Sequence, residues 1–157
     1  MRPGYTPPSE YQLQGPLLDT VYGELRKDME SELEGKFGTL IQDGWSDIHN
    51  YPILSHTVVT PSGQAYLINA IETKDSIKTA EYCASKFMDT VEELKILGCT
   101  VVAGSTDNCN VMIKMRKTIL ERNPDLLLYG CTPHMLNLLC EDVSPKPIVA
   151  KINEVQL

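Results

Sequence analysis

The sequence has 157 residues, the size of one ordinary domain. Its 42% hydrophobic and 22% charged residues are typical of a globular protein that buries its own core. The net charge of −7 excludes nucleic-acid binding through overall attraction, so contact with DNA would need a local basic patch or bound metal ions.

Cysteine usage and apolar runs indicate the compartment. Five cysteines at irregular spacing, with no signal-peptide core before them, favour a reduced, intracellular location. The longest apolar runs are far shorter than the ~20 residues that span a bilayer, so we expect no membrane partner. No run of consecutive basic residues marks a nuclear localisation signal.

The chain should begin with an arm and a helix. Residues 1–16 contain four prolines and two glycines and predict an extended, proline-rich arm, followed by one domain over residues 17–157. Residues 17–34 predict a helix that starts after Pro16 and stops at Gly35. Its apolar residues recur every three to four positions and form one apolar stripe. They are Leu17, Leu18, Val21, Leu25, Met29 and Leu33.

Three strands are predicted next, over residues 38–43, 53–60 and 64–72. The segment Pro61-Ser62-Gly63 is a turn signal between the second and third strands. Short turns join only antiparallel neighbours, so these strands should form an antiparallel meander. The first strand should end at Asp43.

The second half of the chain alternates between helices and strands. Helices are predicted over residues 77–97, 108–122 and 134–143, and strands over 99–103 and 126–129. Three residues of the last helix are expected to face inward: Met135, Leu138 and Leu139. This order predicts an α/β fold with a mixed five-stranded sheet and helices on both faces. Placing the fourth strand beside the first gives the strand order 3-2-1-4-5.

Two aspartates follow apolar runs in this sheet. Asp43 ends the first strand and Asp107 follows the fourth, so both should lie near the carboxyl ends of parallel neighbours, where active crevices of open sheets occur. Two close carboxylates repel each other unless a cation such as Mg²⁺ or Mn²⁺ binds between them. The alternative is that Asp43 caps a turn and Asp107 is the N-cap of a helix that begins at Asn108.

A Cys-x-x-His pair, Cys131 and His134, forms half of a possible zinc site. No second pair with ligand spacing accompanies it, so zinc is not expected. A Cys–His nucleophile would lack an identifiable orienting acid. The other histidines, His49 and His56, are expected to have no chemical role.

Two further features have an ordinary and a functional interpretation. The helix after Asp107 is locally basic, which suits either a solvated face or contact with a phosphate backbone. Its basic residues are Lys114, Arg116, Lys117 and Arg122. The single tryptophan, Trp45, would serve as a core anchor or stack on a base.

Together these motifs resemble the hAT superfamily of DNA transposases. They are Asp43-Gly44-Trp45-Ser46-Asp47, Thr106-Asp107-Asn108, and Cys131-x-x-His134 followed by Met135-Leu136-Asn137-Leu138-Leu139-Cys140-Glu141-Asp142. Their order and spacing are most similar to the domain-of-unknown-function family that covers the first part of the hAT catalytic core. The resemblance covers nearly the whole chain.

The resemblance implies an RNase H-like fold and cut-and-paste DNA transposition in the nucleus. In that family an Asp-Asp-Glu triad binds two Mg²⁺ or Mn²⁺ ions. By match, Asp43 is the first catalytic, metal-binding acid and Asp107 is the second. Cys131 and His134 match a Cys-x-x-His motif near the acids whose role is less defined.

The chain also departs from the family pattern. The family glutamate follows a large helical insertion, and neither Glu141 nor Glu154 stands in a matching place, so the third acid is expected to be absent. The zinc finger and the dimerisation region of the family are likewise expected to be absent. The expectation is therefore a fragment or degenerate remnant that is inactive alone, binds DNA weakly or not at all, and works with a protein partner or as an oligomer. The alternative is a domesticated, non-enzymatic interaction module that keeps the fold.

Overall fold

The fold is described from a computed structural model, which describes residues 4, 6–73 and 79–143. The helices are α1 (Glu10–Gln14), α2 (Pro16–Leu33), α3 (Ala80–Ile96), α4 (Asn110–Arg122) and α5 (Thr132–Val143). The strands are β1 (Phe37–Ser46), β2 (Pro52–Val59), β3 (Ala65–Glu72), β4 (Thr100–Thr106) and β5 (Leu127–Gly130). Two predicted features lie outside the described residues. They are the start of the helix predicted over residues 77–97, and Glu154. None of the helices in the described part of the chain is long and apolar enough to cross a membrane.

The five strands form one mixed sheet in the order β3-β2-β1-β4-β5. Strand β2 is antiparallel to both β1 and β3, whereas β4 is parallel to β1 and β5 is parallel to β4. An antiparallel meander followed by two parallel crossover strands is the RNase H-like arrangement predicted from the sequence. That prediction is confirmed.

Strand β1 runs three residues further than predicted, to Ser46. Its pairing with β2 continues to that residue, whereas its pairing with β4 ends where Gln42 faces Thr106. The prediction that Asp43 ends its strand was therefore wrong. The long antiparallel partner keeps β1 extended, and Asp43 is the first residue of β1 beyond β4.

The main core lies on one face of the sheet, under α3, α4 and the end of α2. The even-numbered side chains of β1 and β2 point into it. The buried ones are Leu40, Gln42, Leu54, His56 and Val58. Close packing requires a glycine in β4, because a Cβ atom at Gly104 would lie 2.5 Å from Cζ of Phe87. The crossover helix α3 therefore packs directly on the backbone of β4.

The opposite face of the sheet is less covered. Phe37, Leu127 and Tyr129 are exposed there, and α5 buries none of its residues. The prediction that Met135, Leu138 and Leu139 face the core was therefore wrong, since all three are exposed. Periodicity shows that a helix is amphipathic, but it does not show what covers its apolar face.

The amino-terminal arm is partly helical. Ser9 forms a capping box with Gln12, in which the backbone N–H of each residue donates to the side chain of the other. This reciprocal bonding makes residues 10–14 helical, where an extended segment was predicted. In α2, only Met29 and Leu33 of the apolar stripe are buried, and the stripe residues of its first half are exposed.

A row of hydrogen-bonded polar side chains crosses the core from β1 to α3. The ring of His56 lies between two amides, with Nε2 2.9 Å from Gln42 Oε1 and Nδ1 2.7 Å from Asn69 Oδ1. Asn69 Nδ2 donates to Thr90 Oγ1 at 3.2 Å and Glu93 Oε2 at 3.4 Å. Burial lowers the pKa of His56 and outweighs the opposing effects of Asn69 and Glu93. His56 therefore has a structural role, which was not predicted from the sequence.

We expect folding stability to fall as the pH is lowered from about 7.5 to about 5.5. The unfolded chain protonates His56 near its ordinary pKa of 6.5, whereas the folded chain protonates it only at a lower pH. Protonation therefore favours the unfolded state, by up to about 1.4 kcal/mol per pH unit. Urea unfolding midpoints at the two pH values measure the effect.

The variant His56→Gln should lose this part of the pH dependence, although it is less stable overall. His49→Gln is the matched control, because the His49 side chain is 67% exposed. An unchanged pH slope in His56→Gln would contradict the assignment to the buried imidazole.

Candidate functional site

The two aspartates predicted as metal ligands follow the last paired residues of β1 and β4. The parallel pairing ends where Gln42 faces Thr106; Asp43 is the next residue of β1, and Asp107 is the first residue after β4. Neighbouring strands are about 4.8 Å apart, so this register places the backbones of the two acids near each other at the carboxyl end of β4. Asp43 is exposed and Asp107 is half-buried.

Each carboxylate accepts one backbone hydrogen bond near its own position. Asp43 Oδ1 accepts from the N–H of Gly44 at 2.9 Å, and Asp107 Oδ1 accepts from the N–H of Cys109 at 2.8 Å. The alternative that Asp107 is a helix N-cap is wrong, because the N-cap of α4 is Cys109. The bond to Cys109 instead makes a short turn that orients the Asp107 side chain.

The turn after β1 is capped by Asp47 and not by Asp43. Asp47 Oδ1 accepts from the backbone N–H groups of His49 at 2.9 Å and Tyr51 at 2.7 Å. Asn50 has φ of 64°, a left-handed conformation that asparagine tolerates. The turn-capping interpretation of Asp43 is therefore not supported.

An arginine of α4 holds the backbone that presents Asp107. Arg116 Nη1 donates to the carbonyl oxygen of Asp107 at 2.7 Å and also to the hydroxyl of Thr106. Arg116 Nη2 donates to Asn108 Oδ1 at 3.3 Å. The guanidinium of Arg116 therefore bonds to the backbone of Asp107 and not to the Asp107 carboxylate. Sequence alone does not predict this contact, because Arg116 is one of four basic residues on α4.

Asn108 connects the Asp107 loop to the start of α5. Its Nδ2 donates to the carbonyl oxygen of Cys131 at 2.9 Å. The backbone N–H of Cys131 in turn donates to the carbonyl oxygen of Thr106 at 2.7 Å. Gly130 makes room for this contact, because a Cβ atom there would lie 1.8 Å from Asn108 Oδ1. The Cys-x-x-His motif therefore begins at the same end of the sheet as Asp107.

The motif residues Cys131 and His134 are both half-buried. Cys131 immediately precedes α5, and His134 lies in its first turn. A nearby thiol, that of Cys109, has its pKa raised, first by burial and also by Asp107. Among the described residues, no three or more His, Cys, Asp or Glu side chains lie close enough to hold a metal ion. The described chain therefore shows no complete zinc ligand set at this motif.

The paired aspartates fit a hard divalent ion better than a soft one. Mg²⁺ commonly binds through one or two carboxylates and completes its shell with water and substrate phosphate oxygens. Asp43 and Asp107 provide oxygen donors of that kind. A third acid near them is absent from the described part of the chain.

Other candidate residues lie around this end of the sheet or along α4. Trp45 shares the less covered face of the sheet with Asp43, since residues two apart in a strand point the same way. It is 45% exposed, so it is not a buried core anchor. Lys114, Lys117 and Arg122 of α4 are exposed, as a solvated basic face would be.

The close fit of Asn108 against Gly130 gives a test of this geometry. Gly130→Ala should lower the free energy of unfolding by about 1–3 kcal/mol, because its Cβ atom overlaps Asn108. In the Asn108→Ala background the same change should cost much less, since the three atoms nearest the added Cβ all belong to Asn108. Urea unfolding of the two single variants and the double variant measures the coupling. Additive effects would contradict the contact.

Comparison with known proteins gives one family and several distant structures. The catalytic core domain of BIV integrase aligns with a TM-score of 0.44 at 16% identity, covering 61% of this chain and 55% of that chain. The HTLV-2 integrase catalytic core domain in complex with magnesium aligns in its trimeric form with a TM-score of 0.38 and in its dimeric form with 0.37. Both forms are 15% identical, cover 78% of this chain, and are themselves covered to 82% and 83%.

These structural similarities are too distant to assign a function, and this chain spans only about half of the BIV integrase core. No curated protein sequence matches it. The family model described as "Domain of unknown function (DUF659)" matches residues 8–156, which is nearly the whole chain and includes both aspartates and the Cys-x-x-His motif. The protein therefore belongs to the DUF659 family.

Proposed function

We propose that this chain is the first part of a hAT-like DNA transposase catalytic core. In this proposal Asp43 and Asp107 hold Mg²⁺ or Mn²⁺ for cleavage and transfer of DNA strands. The observation that supports it most is the register of β1 and β4, which places the backbones of these two acids at neighbouring positions at the carboxyl end of a parallel strand pair. The order of motifs that resembles the hAT superfamily is the second support.

The chemistry follows from the type of ligand. When bound, divalent ions stabilise the attacking and leaving oxygens of a phosphodiester substitution. The protein contributes one carboxylate from β1 and one from the residue that follows the neighbouring strand β4, and the β1–β4 pairing fixes the relative position of the two backbones. Asp107 is oriented further by the N–H of Cys109 and by Arg116 at its carbonyl oxygen. Such preorganisation is what electrostatic catalysis requires.

DNA is the proposed partner and the nucleus the proposed location. The net charge of −7 makes the divalent ions themselves part of the attraction for a phosphate backbone. Exposed Lys114 and Lys117 on α4 are available to contact phosphates, and Trp45 to stack on a base beside Asp43. Because no third acid joins the pair within the described residues, we propose that full activity needs a further carboxylate, supplied elsewhere in the protein or by a partner.

Metal binding by the two aspartates can be measured without DNA. Isothermal titration with Mn²⁺ near pH 7 should detect binding to the unaltered chain. Asp43→Asn and Asp107→Asn should each weaken the affinity by roughly tenfold or more, because each removes a charged oxygen ligand from the shared ion. Asp125→Asn is the matched control. Asp125 is an exposed acid in the turn before β5, at the amino end of this parallel strand and not at its carboxyl end.

Equal Mn²⁺ affinity in all four proteins would contradict the assignment, as would a chain that binds no Mn²⁺ at millimolar concentration. Circular dichroism of each variant checks that the fold is retained. Asp→Asn changes preserve side-chain volume, so unfolding is not expected to explain a loss of binding.

A non-enzymatic interaction module is the second candidate function. It is favoured by the partly exposed apolar face of the sheet, where Phe37, Leu127 and Tyr129 lie. The absence of a third acid beside the pair in the described residues also favours it. Mn²⁺-dependent nicking of supercoiled DNA by the purified chain, lost in Asp107→Asn, would exclude this candidate. Mn²⁺ binding without nicking would leave the metal site as a remnant of the catalytic core.

A further inference from the structure

We propose that Arg116 is a positioning residue that holds Asp107 and the Cys131–His134 motif in one rigid unit. We call this unit the loop clamp. It consists of Arg116, Asn108, the backbone of residues 106–107 and the backbone of Cys131. The proposal rests on the function proposed above and assigns a role in it to a residue outside the predicted site.

The clamp depends on the direction of side chains in an α-helix. Arg116 lies in the second turn of α4, and helical side chains lean toward the helix amino terminus. Its guanidinium therefore reaches back over the first turn to the segment that precedes the helix. There it contacts three consecutive residues, Thr106, Asp107 and Asn108.

The three acceptors explain why this position suits arginine. They are a hydroxyl, a backbone carbonyl and a side-chain amide oxygen, which differ in direction. A planar guanidinium with five N–H donors satisfies them together, whereas the single ammonium group of lysine does not. The neighbouring basic residues differ, because Lys114 and Lys117 are exposed and make no side-chain hydrogen bond to this segment within the described residues.

Asn108 extends the clamp from β4 to β5. Its Oδ1 accepts from Arg116 while its Nδ2 donates to the carbonyl oxygen of Cys131. Both ends of the amide are therefore used, and the side chain has a defined orientation. Cys131 is tied back to β4 by its own N–H, which donates to the Thr106 carbonyl oxygen at 2.7 Å. The residues on either side of Asp107 are thus both bound to the start of α5.

This arrangement has a consequence for the proposed metal site. Arg116 bonds to the carbonyl oxygen of Asp107 and not to its carboxylate, so it fixes the loop without competing with the metal ion. Outer-shell partners that orient a ligand typically change metal affinity by about 10–100-fold. We therefore assign Arg116 to orientation of Asp107, and not to contact with the ion or with DNA.

Two measurements on the full chain test the proposal. The first is Mn²⁺ affinity by isothermal titration, which should fall by about 10–100-fold in Arg116→Ala and should not recover in Arg116→Lys. The second is amide hydrogen exchange in the metal-free protein. Exchange at Cys109 and Cys131 should quicken by roughly tenfold or more in Arg116→Ala, because both amides donate to the segment that Arg116 holds.

The control is Lys117→Ala, which removes the adjacent exposed cation and should change neither measurement. Asn108→Ala is a second variant that keeps the arginine. It should quicken exchange at Cys131 and weaken Mn²⁺ binding, since it breaks the link between β4 and β5.

The outcomes separate this proposal from the proposed function. If the unaltered chain binds Mn²⁺ and Arg116→Ala binds it equally well, the positioning role is overturned. If the unaltered chain binds no Mn²⁺, the proposed function fails, and exchange alone decides the clamp: unchanged exchange at both amides overturns it, and faster exchange confined to them supports it. Faster exchange throughout β2 and β3 in both Arg116→Ala and Asn108→Ala would show a general stabilising role and would overturn it.

Discussion

The parallel pairing of β1 with β4 is the interaction on which the rest of this structure depends. Both are interior strands, and each is paired again on its other side. Gly104 of β4 has no side chain, which allows Phe87 of α3 to pack against the backbone of this strand. A shift of one residue in the register would take Asp43 and Asp107 out of their neighbouring positions and would turn the buried side chains of the shifted strand outward. Core packing and the candidate site therefore share one constraint.

The positions just before the two acids are buried and polar, and each links the sheet to a helix. Gln42 begins the row through His56 and Asn69 to Glu93 of α3, and Glu93 also accepts from Arg26 of α2 at 2.9 Å. On the other strand, Thr106 bonds to an arginine of α4. Every buried side-chain polar atom among the described residues has a partner. Such satisfied networks specify one arrangement, because an alternative would leave buried groups unpaired.

The two faces of the sheet differ in a way that suits a site for a large substrate. One face is filled by α2, α3 and α4 and accounts for the core. Asp43 and Trp45 point to the other face, where neighbouring side chains are accessible. The basic residues of α4 also differ in exposure. Arg116 bonds to the backbone of Asp107, whereas Lys114 and Lys117 face solvent. The basic character of these residues alone did not distinguish a structural arginine from solvent-exposed lysines.

The sequence by itself determined the order of the elements from α2 to α5 and the strand order of the sheet, and the two acids at its edge are a prediction from the same patterns. Periodicity and turn signals act over a few residues, and connection lengths limit how strands can pair, so local information was sufficient. Only the tertiary structure decided that β1 continues past Asp43, because its partner β2 holds it extended. It also decided that the apolar stripe of α5 is uncovered, that His56 is buried between two amides, and that Arg116 bonds to the Asp107 loop. Each of these features depends on residues that are distant in sequence. The residue pattern of one segment does not specify which other segment packs against it.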